Sequence, residues 1–139
     1  MRYLAIDYGL KRTGLAVCDG DETIVSPLSV IEGSKDLVSD ILKIIEKESI
    51  EAVVIGLPYN MNGTLGDQAK KVQSFAEQLN RQVEMDVYFQ DERLSSFAAS
   101  EKLQQRPLTF KRKKKKLDAL AAAQILEMFL EQKKMGESS

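Results

Sequence analysis

Four acids, at three places in this 139-residue chain, sit where carboxylates can do chemistry. Asp7 ends the apolar run Leu4-Ala5-Ile6. Asp91 and Glu92 end a second run, Val87-Tyr88-Phe89-Gln90. Asp118 falls among Lys116, Leu117, Ala119, Leu120 and Ala121. On a helix its neighbours at offsets of three, four, seven and eleven are Ala121, Ala122, Ile125 and Phe129. That face is apolar and small, and an acid there is costly unless something compensates it. Three carboxylates brought to one place repel and raise one another's pKa, and a divalent cation resolves the conflict. The chain has no His and one Cys, so zinc chemistry and Ser-His-Asp triads are excluded. Oxygen-only ligands point to Mg²⁺ or Mn²⁺, ions that suit phosphoryl chemistry. Strand alternation puts Tyr88, Gln90 and Glu92 on one side and Phe89 and Asp91 on the other, without saying which side holds the metal.

Cations surround these acids in the sequence. Lys11 and Arg12 follow the Asp7-Tyr8-Gly9 turn, and Arg93 follows Glu92. Residues 111–116 read Lys-Arg-Lys-Lys-Lys-Lys, two positions before Asp118, with Lys113, Lys114 and Lys115 at the centre. Such a run beside a carboxylate centre suits a phosphate backbone, which it positions without reading bases. The global balance of 20 basic and 21 acidic residues hides this, because the first 60 residues are net acidic and the rest net basic. A Gly-rich stretch, Gly56-Leu57-Pro58-Tyr59-Asn60-Met61-Asn62-Gly63, leads from a buried strand to a helix and puts Asn60 within reach of phosphate or sugar. Neither a GxGxxG nor a GxxxxGK[ST] pattern is present, which excludes dinucleotide and P-loop readings.

The elements that must position these groups follow from hydrophobic period. Residues 2–7, 13–18 and 24–31 are short apolar runs joined by turn residues, an antiparallel meander, with Pro27 marking an edge or a bend. Residues 36–48 have helical spacing with Ser34 as N-cap, and Ala52–Leu57 is a strand covered on both faces. Asp67–Asn80 is helical and residues 86–90 form a strand. Residues 95–103 and 117–133 read as helices, joined by a loop at 104–116 that contains Pro107 and the basic run. The order implies an α/β fold, a five-stranded mixed sheet flanked by helices: an antiparallel meander, then β-α-β-α units. Sites in such sheets form beyond the carboxyl ends of the parallel strands. We expect one domain over residues 1–133 and a flexible tail at 134–139. Cys18, in an apolar strand, reads as a core thiol. No apolar stretch reaches membrane-spanning length, and the N-terminal run meets Asp7 too soon for a signal peptide, so a cytoplasmic protein is expected.

Four segments taken in order resemble the YqgF (RuvX) family, described as pre-16S rRNA nucleases or Holliday-junction resolvases of RNase H-like fold. They are residues 5–17 (Ala-Ile-Asp-Tyr-Gly-Leu-Lys-Arg-Thr-Gly-Leu-Ala-Val), 56–64, 91–96 and 114–122. The resemblance implies a catalytic, metal-holding triad of Asp7, Glu92 and Asp118, and so selects Glu92 over Asp91. It also implies an RNase H-like sheet of five strands. Departures are mild: Ser95-Ser96 stand where the family often has Thr-Thr, and Asn62 where it often has Asp. The expected function is a metal-dependent nuclease, first in 5′-end maturation of pre-16S rRNA and second in Holliday-junction resolution on DNA, acting as monomer or homodimer. A non-catalytic nucleic-acid-binding module and a nucleotide-binding domain of the actin and sugar-kinase type are the competing classes. The first leaves Asp118 unexplained; the second normally pairs two such domains.

Overall fold

The computed structural model describes residues 1–59, 62–92 and 110–137, with side chains of the last segment described from Asp118 to Gly136. Five strands form one sheet in the order β3-β2-β1-β4-β5. They are β1 (Tyr3–Asp7), β2 (Arg12–Cys18), β3 (Val25–Glu32), β4 (Ala52–Leu57) and β5 (Val87–Asp91). The first three pair antiparallel, while β4 runs parallel to both β1 and β5. This is the mixed sheet expected from the sequence. Pro27 lies on the edge strand β3, next to a register shift opposite Leu15 and Ala16, where a missing N–H costs no ladder bond.

The two sheet faces are covered differently. Helices α1 (Leu37–Lys47) and α2 (Asp67–Asn80) cover the first face. There Leu4, Ile6, Leu15, Val53 and Ile55 pack against Ile41, Val72 and Leu79, all fully buried. The second face presents Ala5, Ala16, Ala52 and Val54 to α3 (Phe110–Glu137), whose Ala122, Ala123, Ile125 and Leu126 complete that core. Small residues on both sides let this helix lie close to the strands. At Gly14 of β2 the approach is tightest, for a Cβ there would overlap the backbone carbonyl of Asp118. Cys18 is buried in this second core, as expected.

Three sequence expectations need correction. The N-cap of α1 is Asp36, which accepts from Ser39 N at 3.2 Å; Ser34 instead donates its hydroxyl to Asp40. Both residue types cap well, so composition alone does not separate them. The basic run at 111–116 is helical, part of α3 from Phe110, whereas the sequence placed it in a loop. Lys and Arg are good helix formers, and an apolar period is not required for a helix that extends past its packed face. The same helix runs on to Glu137, beyond the residue-133 boundary expected for it. The helix expected at 95–103 and the loop at 104–109 lie outside the described residues. Among the described residues, no helix is long and apolar enough to cross a membrane.

Candidate active site

Asp7 is the last residue of β1, and its alternation with Tyr3 and Ala5 turns it to the α3 face. Glu92 follows β5, its N–H held by Leu57 O at 3.3 Å, so the end of β4 fixes where the acid starts. The side left open by the sequence is now assigned. Tyr88 meets Phe129 of α3 with ring centroids 5.2 Å apart, while Phe89 faces α2 across a cavity of about 560 Å³. Glu92 shares the Tyr88 side and Asp91 the Phe89 side. Glu92 is thus the acid that reaches Asp7, and the two carboxyls share a hydrogen bond.

That contact crosses a strand, because β4 lies between β1 and β5. The crossing is possible because β4 carries Gly56 on the α3 face. A Cβ at Gly56 would overlap Glu92 Oε2 and Ile125 Cδ1. Gly56 therefore leaves a gap in the sheet surface through which one acid reaches the other.

Burial, then the charge of Glu92, its hydrogen bond and finally the charge of Asp118 push Asp7 well above the usual carboxylate range. Burial likewise raises Glu92; the Asp7 hydrogen bond opposes that shift and the charge of Asp91 adds to it. Asp118 follows the basic run by two residues and is brought in by the close packing at Gly14, which pairs with Asp7 across β1 and β2. Its Oδ2 accepts from Arg12 Nε at 3.1 Å. Arg12 Nη1 lies 3.6 Å from Glu32 Oε1. The acids thus form a pair, Asp7 with Glu92, and a third member held by a guanidinium. Among the described residues, no group of three or more His, Cys, Asp or Glu side chains stands in an arrangement that could hold a metal ion, and Asp118 is engaged by Arg12 instead.

The other expected contact residues fall in different places. Lys11 lines a cavity of about 480 Å³ with Tyr8, Thr13 and Glu32, beside the β1–β2 turn. Arg12 is drawn to the acids rather than directed to substrate alone. Lys113, Lys114 and Lys115 lie in the first turns of α3, and their side chains are outside the described residues, as are Asn60 and Arg93 entirely. Sequence reasoning missed Glu32 and the role of Gly56. Glu32 carried a usable signal, since it closes the meander strand that pairs with Arg12.

A five-stranded mixed sheet with acids gathered at the carboxyl ends of its parallel strands, under a long closing helix, defines an RNase H-like domain. The solved structures agree. The fowlpox virus resolvase bound to Holliday junction DNA aligns with a TM-score of 0.59 at 11% identity, over 95% of this chain and 98% of that one. T. thermophilus RuvC in complex with Holliday junction substrate gives 0.53 at 15% identity, over 92% and 96%. The family model described as "RuvX: Holliday junction resolvase" matches residues 1–132. A protein of Maridesulfovibrio salexigens named "Putative pre-16S rRNA nuclease" is 41% identical over 132 residues, 94% of this chain and 98% of that protein. A Gloeothece citriformis protein of the same name is 40% identical over 134 residues, 94% and 88% of the two chains. The chain belongs to the RuvX family.

Proposed function

We propose that this protein is a metal-dependent phosphodiesterase acting on nucleic acid, and that its role is 5′-end maturation of pre-16S rRNA in the cytoplasm. The observation that carries the reading is the pairing of Asp7 with Glu92 through the gap at Gly56, with Asp118 brought to the same sheet end by α3. Burying like-charged acids together opposes stability, so it calls for a compensating ligand. The donor set fits a hard divalent cation, since all three groups offer carboxylate oxygens. Asp7, Glu92 and Asp118 would hold Mg²⁺ or Mn²⁺. Once bound, the ion supplies a Lewis acid for water activation and for the departing oxyanion.

The chain's own groups do the rest. Asp7 and Glu92, whose burial and mutual proximity favour the protonated form, would give up that proton to solvent as the cation binds. Lys11, at the rim of its cavity, draws in the polyanion; Lys113, Lys114 and Lys115 extend that field along α3. Cations in the first turns of a helix oppose its dipole, which argues that these lysines serve a ligand rather than the helix. Asn60 and Arg93 complete the expected contacts with sugar and phosphate. The relatives' names favour RNA trimming over junction resolution.

The test is Mn²⁺-dependent cleavage by wild type and Asp118→Asn. One substrate is a small-subunit rRNA precursor bearing its 5′ leader, the other a four-way DNA junction. We expect trimming of the RNA by wild type only. Cleavage of the junction alone would transfer the activity to resolution, and metal-independent cleavage by both proteins would remove the carboxylate mechanism.

A further inference from the structure

We propose that Arg12 couples the arrival of a phosphodiester backbone to the release of Asp118 for cation binding. The inference rests on Asp7, Glu92 and Asp118 being the ligand set proposed above. Arg12 opens β2 directly opposite Glu32 of β3 and reaches across to α3. Its Nε donates to Asp118 Oδ2 at 3.1 Å, and Nη1 sits 3.6 Å from Glu32 Oε1. The guanidinium therefore lies between an acid of the site and an acid of the rim.

This position has two consequences. A fixed positive charge on Asp118 opposes any divalent cation that the same carboxylate would hold. The guanidinium is also the side chain best shaped to exchange a carboxylate for a phosphate, since its planar donors fit both. Arg12 remains 23% exposed, so a backbone phosphate can reach it. Neighbouring Lys11 adds to the attraction. Glu32 keeps a second partner on Arg12 during the exchange, so the residue stays at the rim when its grip on Asp118 ends. Substrate phosphate and metal ion then favour each other through one side chain, and linkage makes the effect reciprocal. The site therefore binds a cation more weakly without nucleic acid than with it.

The experiment is calorimetric titration of Mn²⁺ into wild type, Arg12→Gln, Arg12→Lys and Asp7→Asn, each alone and with a phosphorothioate RNA strand that resists cleavage. Thermal melting establishes that each variant is folded. Arg12→Gln is expected to bind Mn²⁺ roughly tenfold more tightly than wild type without RNA, and to gain less from RNA by about the same factor. Arg12→Lys, which keeps the charge, should retain the weak metal affinity of wild type without RNA. In an Asp118→Asn background the Arg12→Gln effect should vanish, as expected of a direct pair. Arg12→Gln binding Mn²⁺ no more tightly than wild type, or gaining equally from RNA, would overturn the coupling while the metal site stands. Asp7→Asn binding Mn²⁺ as well as wild type would overturn the ligand assignment, and the coupling with it.

Discussion

The two ends of this sheet treat charge in opposite ways. At the amino end of β1, opposite charges meet. Arg2 Nη2 lies 2.9 Å from Glu48 Oε1, and its Nε donates to Glu48 O at 2.6 Å. Lys133 Nζ sits 2.7 Å from Glu22 Oε1 and 5.3 Å from the Tyr3 ring centroid, tying the end of α3 to the β2–β3 turn. The hydrogen bond from Lys133 lowers the pKa of Glu22 and raises that of Lys133. At the carboxyl end of β1 Arg12 holds Asp118 at the rim, but the most buried contact is between two acids, Asp7 and Glu92, and Asp7 moves well upward. Identical chemistry is displaced in opposite directions within one small domain. The first end holds the fold together; the second stores electrostatic repulsion that a ligand can relieve.

The sharpest way to break this comparison is Asp7→Asn. Losing a metal-holding carboxylate forfeits several kcal/mol of transition-state stabilisation, so cleavage should fall by at least about 10³-fold. The same substitution removes one of two acids buried against each other and should raise stability by about 1 kcal/mol. A melting curve beside a cleavage assay checks both. Loss of activity with loss of stability would mean that Asp7 belongs with the structural charges.

Gly56→Ala probes the gap between the acids. Its Cβ overlaps Glu92 and Ile125, so stability should drop by roughly 1–3 kcal/mol and Mn²⁺ affinity should fall with it. Adding Ile125→Val makes room and should recover stability in denaturant titrations. Metal affinity recovering to the same degree would show that the Glu92 clash is minor.

The pH responses of the two ends should also oppose one another. Asp7 and Glu92 have raised folded pKa values, so they favour the folded state below the ordinary carboxylate range and cease to do so as pH rises through their folded values. Metal competes with those protons, so the acidic limb of the cleavage profile should move to lower pH as Mn²⁺ increases. Glu22 has a lowered pKa, so its contribution exists above the ordinary value and is lost as pH falls through the folded one. The smallest expected effect is that of Glu22→Gln, a loss of about 0.5–1 kcal/mol near neutrality that shrinks in acid, with cleavage unchanged.

Much of this was legible in the sequence. Strand edges at Asp7, Cys18 and Leu57 follow from apolar runs ending in turn residues, and the bounds of all five strands fall within one residue of where period and turn chemistry place them. Asp118 was conspicuous because an acid among alanines needs a reason. What could not be read is long-range. Alternation left Asp91 and Glu92 equivalent until the Tyr88–Phe129 contact fixed which face belongs to α3. Arg12 reaches an acid 106 positions away, and no local pattern encodes that pairing. Gly56 looked like loop chemistry because its function is the room it leaves for another strand's side chain. The basic run looked like a loop because Pro107 precedes it, yet the chain is helical from Phe110.

The most direct test of the central claim, that the carboxyl end of the sheet is destabilised in readiness for a cation, is thermal melting of wild type and Asp7→Asn with increasing Mn²⁺. Without metal the variant should melt higher. With metal, the wild-type Tm should climb with Mn²⁺ concentration while that of the variant stays nearly constant. Equal Mn²⁺ shifts in both proteins, or none in wild type, would contradict the account.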